Sequence, residues 1–83
     1  MGLSRKVVRV ELTTRTSEPS DRIAIPGMPL WEVSWTTCDR LGRERTWSAP
    51  HITEAGARRT VANLLTERAP GLTDEDVFTD LAS

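Results

Sequence analysis

The side chains that most often perform catalysis are scarce in this chain. It has one histidine, His51, one cysteine, Cys38, and no tyrosine. A nucleophile and base pair formed by Cys38 and His51 is conceivable, but the sequence indicates neither a group to orient the histidine nor an oxyanion site. A structural zinc site needs about four ligands, which these two residues do not supply. We therefore expect a non-catalytic protein without a metal or other cofactor and without a small-molecule substrate.

Acidic residues cluster near the carboxyl terminus, at Asp74, Glu75 and Asp76. This run lacks the alternating oxygen ligands and the central glycine of a calcium-binding loop. Acidic side chains in the first turn of a helix are stabilised by the helix dipole. We interpret the run as the beginning of a short helix, capped by Thr73, with Val77 and Phe78 on its apolar side.

Binding is the activity that the remaining residues favour. Arg40, Arg43 and Arg45 lie close together, and Arg9 lies in an earlier segment rich in valine. Arginine binds phosphates and the edges of bases, so a sheet face carrying these residues could lie along a groove of double-stranded DNA. The alternative is that the arginines are solvated or paired with nearby glutamates, which contributes little stability.

Composition is compatible with either interpretation. Eighty-three residues make one domain, and the formal net charge is −1. From Leu72 onward the chain carries four acidic residues and no basic one, which leaves +3 for the rest. No segment suggests a signal peptide or a membrane span, so we expect a cytoplasmic protein with no membrane partner. Lys6 is the only lysine, a bias expected of a GC-rich genome such as that of an actinobacterium or its phage.

The arginines and all three tryptophans fall in a stretch that reads as a β-hairpin. Residues 31–36 alternate apolar and polar side chains. Residues 43–48 alternate again, with Arg43, Arg45 and Trp47 on one side and Glu44, Thr46 and Ser48 on the other. Asp39 and Gly42 are turn formers between them. We expect the tryptophans to form the core under a helix. One of them, Trp47 or Trp31, is the candidate for exposure to a partner.

Two further segments complete the sheet and its cover. Residues 6–14 alternate as a strand, and residues 15–29 form a long loop that is either flexible or functional, in which Ile23 and Ile25 could add a short edge strand. A helix is predicted from the cap Thr53 to about Arg68. Its apolar stripe consists of Ala57, Val61, Leu64 and Leu65.

These elements predict an α+β fold. An antiparallel sheet of three strands, or four with the extra edge strand, is covered on one face by a single amphipathic helix, and a short helix ends the chain. The first functional hypothesis is duplex DNA binding through Arg9, Arg40, Arg43 and Arg45 in an accessory or regulatory protein. The second is a protein-interaction module or inhibitor that contacts a host protein through the sheet edge, an exposed tryptophan or the acidic carboxyl-terminal helix. Its contact residues would be Trp31, Trp47, Val77 and Phe78.

The segments WEVSW, LGRERTW and ITEAGARRTVANLL resemble the amino-terminal arm-site DNA-binding domain of phage-type tyrosine integrases. In that family three antiparallel strands pack on one helix, and the sheet enters the major groove. The resemblance covers about half of the chain. It implies that Arg43 and Arg45 face the groove, that Gly42 is the hairpin glycine and that Trp47 closes the third strand. It also implies a helix core of Ala55, Ala57, Val61 and Leu64.

Overall fold

A four-stranded sheet covered by one main helix forms the described part of the protein. The computed structural model describes residues 6–22, 24–69 and 71–81. The strands are β1 (Lys6–Thr16), β2 (Pro29–Cys38), β3 (Glu44–His51) and β4 (Phe78–Asp80), and the helix is α1 (Glu54–Glu67). Their order across the sheet is β3, β2, β1, β4. The predicted α+β class is confirmed, but the sheet is mixed rather than wholly antiparallel.

The predicted hairpin is present and is longer than expected. β2 and β3 pair antiparallel from Cys38 opposite Glu44 to Trp31 opposite His51. Pro50 does not end the second strand, because β3 is an edge strand and its outer side needs no backbone donor from Pro50. β1 pairs antiparallel with β2 along its whole length, with a register shift between Val7 and Arg9.

Helix α1 begins and packs as its sequence predicts. The Thr53 hydroxyl accepts from the backbone N–H of Gly56 at 3.0 Å. Of the expected stripe, Ala57, Val61 and Leu64 are buried and Leu65 is half-buried, whereas Ala55, which the resemblance assigned to the core, is exposed. A Cβ added at Gly56, in the first turn of the helix, would contact the Thr53 hydroxyl at 3.1 Å and the ring of His51 at 3.7 Å.

The core lies between this helix and the sheet, and it consists mainly of aliphatic side chains. Val10, Leu12 and Val33 are almost wholly buried beneath the helix, while Trp31 and Trp35 are only half-buried at its margin. Trp47 is 41% exposed. The expectation that all three tryptophans form the core is therefore wrong for Trp47, whereas Trp31 and Trp35 do pack against the core, and the exposure expected of Trp47 or Trp31 is found at Trp47. Helix α1 packs against β1, β2 and β3, and all three indole rings remain partly exposed.

The carboxyl-terminal helix that the sequence predicts is absent from the described residues. Thr73 and Asp76 do form the predicted cap interaction, in which the Thr73 backbone N–H donates to the Asp76 carboxylate at 2.8 Å. The turn stops after Asp74–Asp76 as a single 3₁₀ turn. The chain then forms β4, which pairs parallel with β1, Phe78 beside Glu11. This segment is too short to form a stable helix. It pairs instead with the free edge of β1 and provides partners for the backbone groups there.

The connection between β1 and β2 is ordered by hydrogen bonds at its base. Ser17 is buried, and its hydroxyl donates to the carbonyl of Ile25 and accepts from the N–H of Met28. Neither Ala24 nor Ile25 belongs to a strand, and Ile23 lies outside the described residues. The fourth strand is therefore β4 and not an extension of this loop.

Candidate nucleic-acid interface at the hairpin end

One end of the molecule gathers basic side chains from three elements. The start of β1 lies beside the turn of the hairpin, because Lys6 pairs with Cys38. The end of α1 reaches the same place, where the N–H of Val7 donates to the carbonyl of Arg68 at 2.8 Å. We call this region the hairpin end. Its basic residues are Lys6, Arg9, Arg40, Arg43, Arg45 and Arg68, and its acidic residues are Asp39, Glu44 and Glu67, with Glu11 next to Arg9 on the same face of β1.

The four predicted binding arginines share this end but not one face of the sheet. Arg9 lies beside Thr36, and Thr36 lies beside Thr46, so these three residues point to the face opposite the helix. Arg45 precedes Thr46 and points to the other face, together with Trp47. A single basic face opposite the helix is therefore not formed. The arginines instead surround the hairpin end.

The turn of the hairpin is held by one carboxylate. Asp39 accepts the backbone N–H groups of Leu41 and Arg43 through one oxygen, and the Arg43 guanidinium through the other, each at 2.9 Å. The hydrogen bond from the Arg43 N–H is the main cause that lowers the pKa of Asp39 below its usual value. Gly42 has a φ of +82°, which a side chain would disfavour. The turn is thereby fixed in one shape.

Next to this turn, an arginine and a tryptophan form a stacked pair. The Arg45 guanidinium lies over the Trp47 ring, 5.7 Å from its centroid. The indole N–H donates to the hydroxyl of buried Thr37 at 3.3 Å, and the same hydroxyl donates to the Arg45 carbonyl. Trp47 keeps 41% of its surface exposed. A flat aromatic surface and a cation are thus held together at the hairpin end.

Two arginines elsewhere are engaged in ion pairs. Arg15 makes two hydrogen bonds of 2.9 Å to Asp21 and one of 3.2 Å to Glu32. These contacts raise the pKa of Arg15, and the Arg15 hydrogen bond is the main cause that lowers the pKa of Asp21 to about 2. Arg58 pairs with Glu54 along the helix. The alternative interpretation, in which arginines pair with nearby acidic side chains, therefore applies to Arg15.

The residues proposed for protein contact do not form one surface. Trp31 is half-buried beside the core on the inner strand β2, and Val77 is half-buried just before the edge strand β4. Phe78 is 56% exposed and lies beside Glu11 on the face opposite the helix. Of this set, Phe78 and Trp47 offer exposed apolar area, and they lie on different edge strands.

The conceivable catalytic pair is not assembled. Cys38 lies at the turn and His51 at the far end of β3, separated by seven strand positions or roughly 23 Å. His51 instead bonds the Thr60 hydroxyl at 2.7 Å. Within the described ranges, no three histidine, cysteine or acidic side chains are grouped to hold a metal ion. Nor does any helix there have the length and apolarity to cross a bilayer.

Sequence reasoning missed Arg68 at the hairpin end. Arg68 reaches it only through the packing of α1 against β1, and no local pattern marks it as a neighbour of the turn. The sequence did not single out Leu41, which lies between the turn-forming residues Asp39 and Gly42. It is 76% exposed.

Comparison with known proteins adds no relative. Neither a family model, nor a curated protein, nor a solved structure matches the chain.

Proposed function

We propose that the protein binds double-stranded DNA through the hairpin end. The observation that carries this proposal is the convergence of basic residues from β1, the hairpin and the end of α1. A cluster of cations with exposed guanidinium groups attracts the phosphate backbone and releases its counterions. A two-stranded β-ribbon is also narrow enough to enter a groove of the duplex.

Several acidic residues lie away from the turn of the hairpin, which supports an approach of the duplex from that side. Asp80 pairs with Thr13 on the far half of β1, and Glu18 and Asp21 lie in the loop beyond that half. Asp74 lies beside Arg58 and Val61 of the helix rather than beside the turn. Glu11, on the same face of β1 as Arg9, and the acidic turn Asp74–Asp76, which leads into the pairing of Phe78 with Glu11, lie nearer to the hairpin end. A duplex that avoids this negative charge approaches along the hairpin turn, where Arg40, Arg43 and Arg45 lie.

The individual cations contribute differently. Arg9 and Arg40 are exposed, and neither forms an ion pair with a described residue. Arg43 is paired with Asp39, yet its side chain is 75% exposed and has further donors to offer a phosphate. Arg45 presents its charge beside Trp47, where contact with sugar and base edges becomes possible. The resemblance to integrase arm-site domains supports the same partner, and with it an accessory or regulatory role in a phage or mobile element.

The salt dependence of binding to a random-sequence duplex tests this proposal. If Arg9, Arg40, Arg43 and Arg45 each neutralise one phosphate, the logarithm of the association constant falls with the logarithm of salt with a slope of about −3.6. Replacing Arg43 and Arg45 together by alanine should reduce the slope to about −1.8. Fluorescence anisotropy with a labelled duplex between low and physiological salt measures both slopes.

A matched variant controls for the loss of charge. Arg58 and Arg59 are exposed on the first half of α1, away from the hairpin end. Replacing both by alanine removes the same charge and should leave the slope unchanged. Absence of duplex binding at low salt, or an equal effect of the two double variants, refutes binding through the hairpin end.

A second candidate function is contact with a host protein through the edge strand β4. The exposed ring of Phe78 on a short edge strand favours it, because an extended peptide of a partner can add a strand to an exposed sheet edge. Capture of a partner from host lysate by the wild-type protein but not by Phe78→Ala would support this candidate. Equal capture by both would refute it.

A further inference from the structure

Leu41 is a large apolar side chain placed at the tip of the basic hairpin. It follows Arg40, precedes Gly42 and Arg43, and is 76% exposed. Leucine gains free energy when its surface leaves water, so an exposed leucine at a fixed tip is poised to contact something apolar. In a duplex the apolar surface is the stacked faces of the bases.

The tip presents this side chain in a defined direction. The Asp39 carboxylate accepts the N–H of Leu41 at 2.9 Å, and the Asp39 carbonyl accepts the N–H of Gly42 at 3.1 Å. The next residue, Gly42, has a positive φ and carries no side chain that would crowd Leu41. Because the turn is already ordered, inserting Leu41 into a partner costs less conformational entropy.

We propose that Leu41 inserts between two adjacent base pairs from the minor groove and bends the duplex, an inference that rests on the DNA binding proposed above. Leucine is one of the side chains that unstack a base step in this way. Arg40 and Arg43, on either side of Leu41, contact the phosphates that border the inserted step. The bound sequence is then one that contains a deformable step such as TA or CA, chosen by the energy of bending rather than by base contacts.

The bend itself is the quantity to measure. A duplex labelled at both ends for energy transfer, with a central TA step, should bend by roughly 20° to 90° on binding the wild-type protein. A 2-aminopurine at the central step should brighten as it unstacks. Leu41→Ala should bind within about tenfold of the wild-type affinity, with the same salt slope, but lose the bend and the brightening.

Two variants control for other effects of the substitution. Leu41→Met keeps an apolar side chain of similar volume and should retain the bend. Ile25→Ala removes an apolar side chain that is 74% exposed in the loop between β1 and β2, and it should also retain the bend. Because the Leu41 side chain is exposed, Leu41→Ala should keep the urea midpoint of the wild-type protein.

The outcomes separate the two proposals. Salt-dependent binding without a bend, or an equal bend with Leu41→Ala, overturns the insertion of Leu41 and leaves DNA binding standing. A bend lost equally in Ile25→Ala also overturns it, since the effect would not be specific to the tip. No binding of the duplex by the wild-type protein at low salt overturns both proposals.

Discussion

Replacing Leu12 by alanine should lower the free energy of unfolding by about 3 kcal/mol. Leu12 is 1% exposed, lies on the central strand β1 and pairs with Val33 on one side and Thr79 on the other. The substitution removes three buried carbons, which corresponds to a transfer free energy of about 2.4 kcal/mol. The cavity left behind adds to this cost, and such substitutions lose about 2 to 5 kcal/mol in total.

The surroundings of Leu12 place the expected loss of unfolding free energy in the lower half of that range. An open groove lined by Leu12, Val61 and Val77 adjoins the site, so the wall of the new cavity can partly collapse. A domain of this length has a total stability of roughly 4 to 12 kcal/mol. The expected loss is therefore a large fraction of the total, and the melting temperature should fall by more than about 10 °C.

Urea unfolding followed by tryptophan fluorescence measures this loss. The midpoint should move to lower urea without a change of slope, because the surface exposed on unfolding stays nearly the same. Leu41→Ala is the matched control, with the same chemical change at a side chain that is 76% exposed, and should change stability by less than about 0.5 kcal/mol. Equal losses from the two substitutions, or a loss below about 1 kcal/mol at Leu12, would contradict a core beneath α1 with β1 at its centre.

Two further predictions test local interactions. Thr53→Ala should destabilise the protein by about 1 kcal/mol in urea unfolding, because the N–H of Gly56 loses its acceptor, and an unchanged midpoint would show that this cap contributes nothing. The pKa of Asp21 is lowered from 3.8 to about 2, chiefly by its hydrogen bonds to Arg15, so the stability it contributes is present above about pH 4 and lost as the pH falls towards 2. The urea midpoint of Asp21→Asn should depend less on pH across this window than that of the wild-type protein, and parallel curves would contradict the assignment.

Alternation and capping made the central part of the fold predictable. Each large residue at 31, 33 and 35 faces the helix in the structure, as the period of two requires, and Thr53 caps α1 where a hydroxyl was expected. The stripe of Ala57, Val61 and Leu64 is buried as its spacing predicts. These features depend on neighbours in the chain, so the sequence alone contains their physical cause.

Other features depended on partners distant in the chain. Residues 78–80 have no alternation long enough to identify a strand, and they pair only because the outer edge of β1 lies within reach. Similarly, the exposure of Trp47 depends on how far α1 extends across the sheet. The period of two separates Arg45 from Thr46, but only the register with β2 and β1 shows that Arg9 points away from Arg45.

The sequence by itself determined the three antiparallel strands, the capped helix and the scarcity of catalytic side chains, because these follow from local periodicity and composition. Only the tertiary structure decided where charge collects. It brought Lys6 and Arg68 beside the hairpin turn, and it engaged Arg15 in ion pairs with Asp21 and Glu32. The physical reason is that electrostatic surfaces depend on distances through space, which packing sets and sequence order does not.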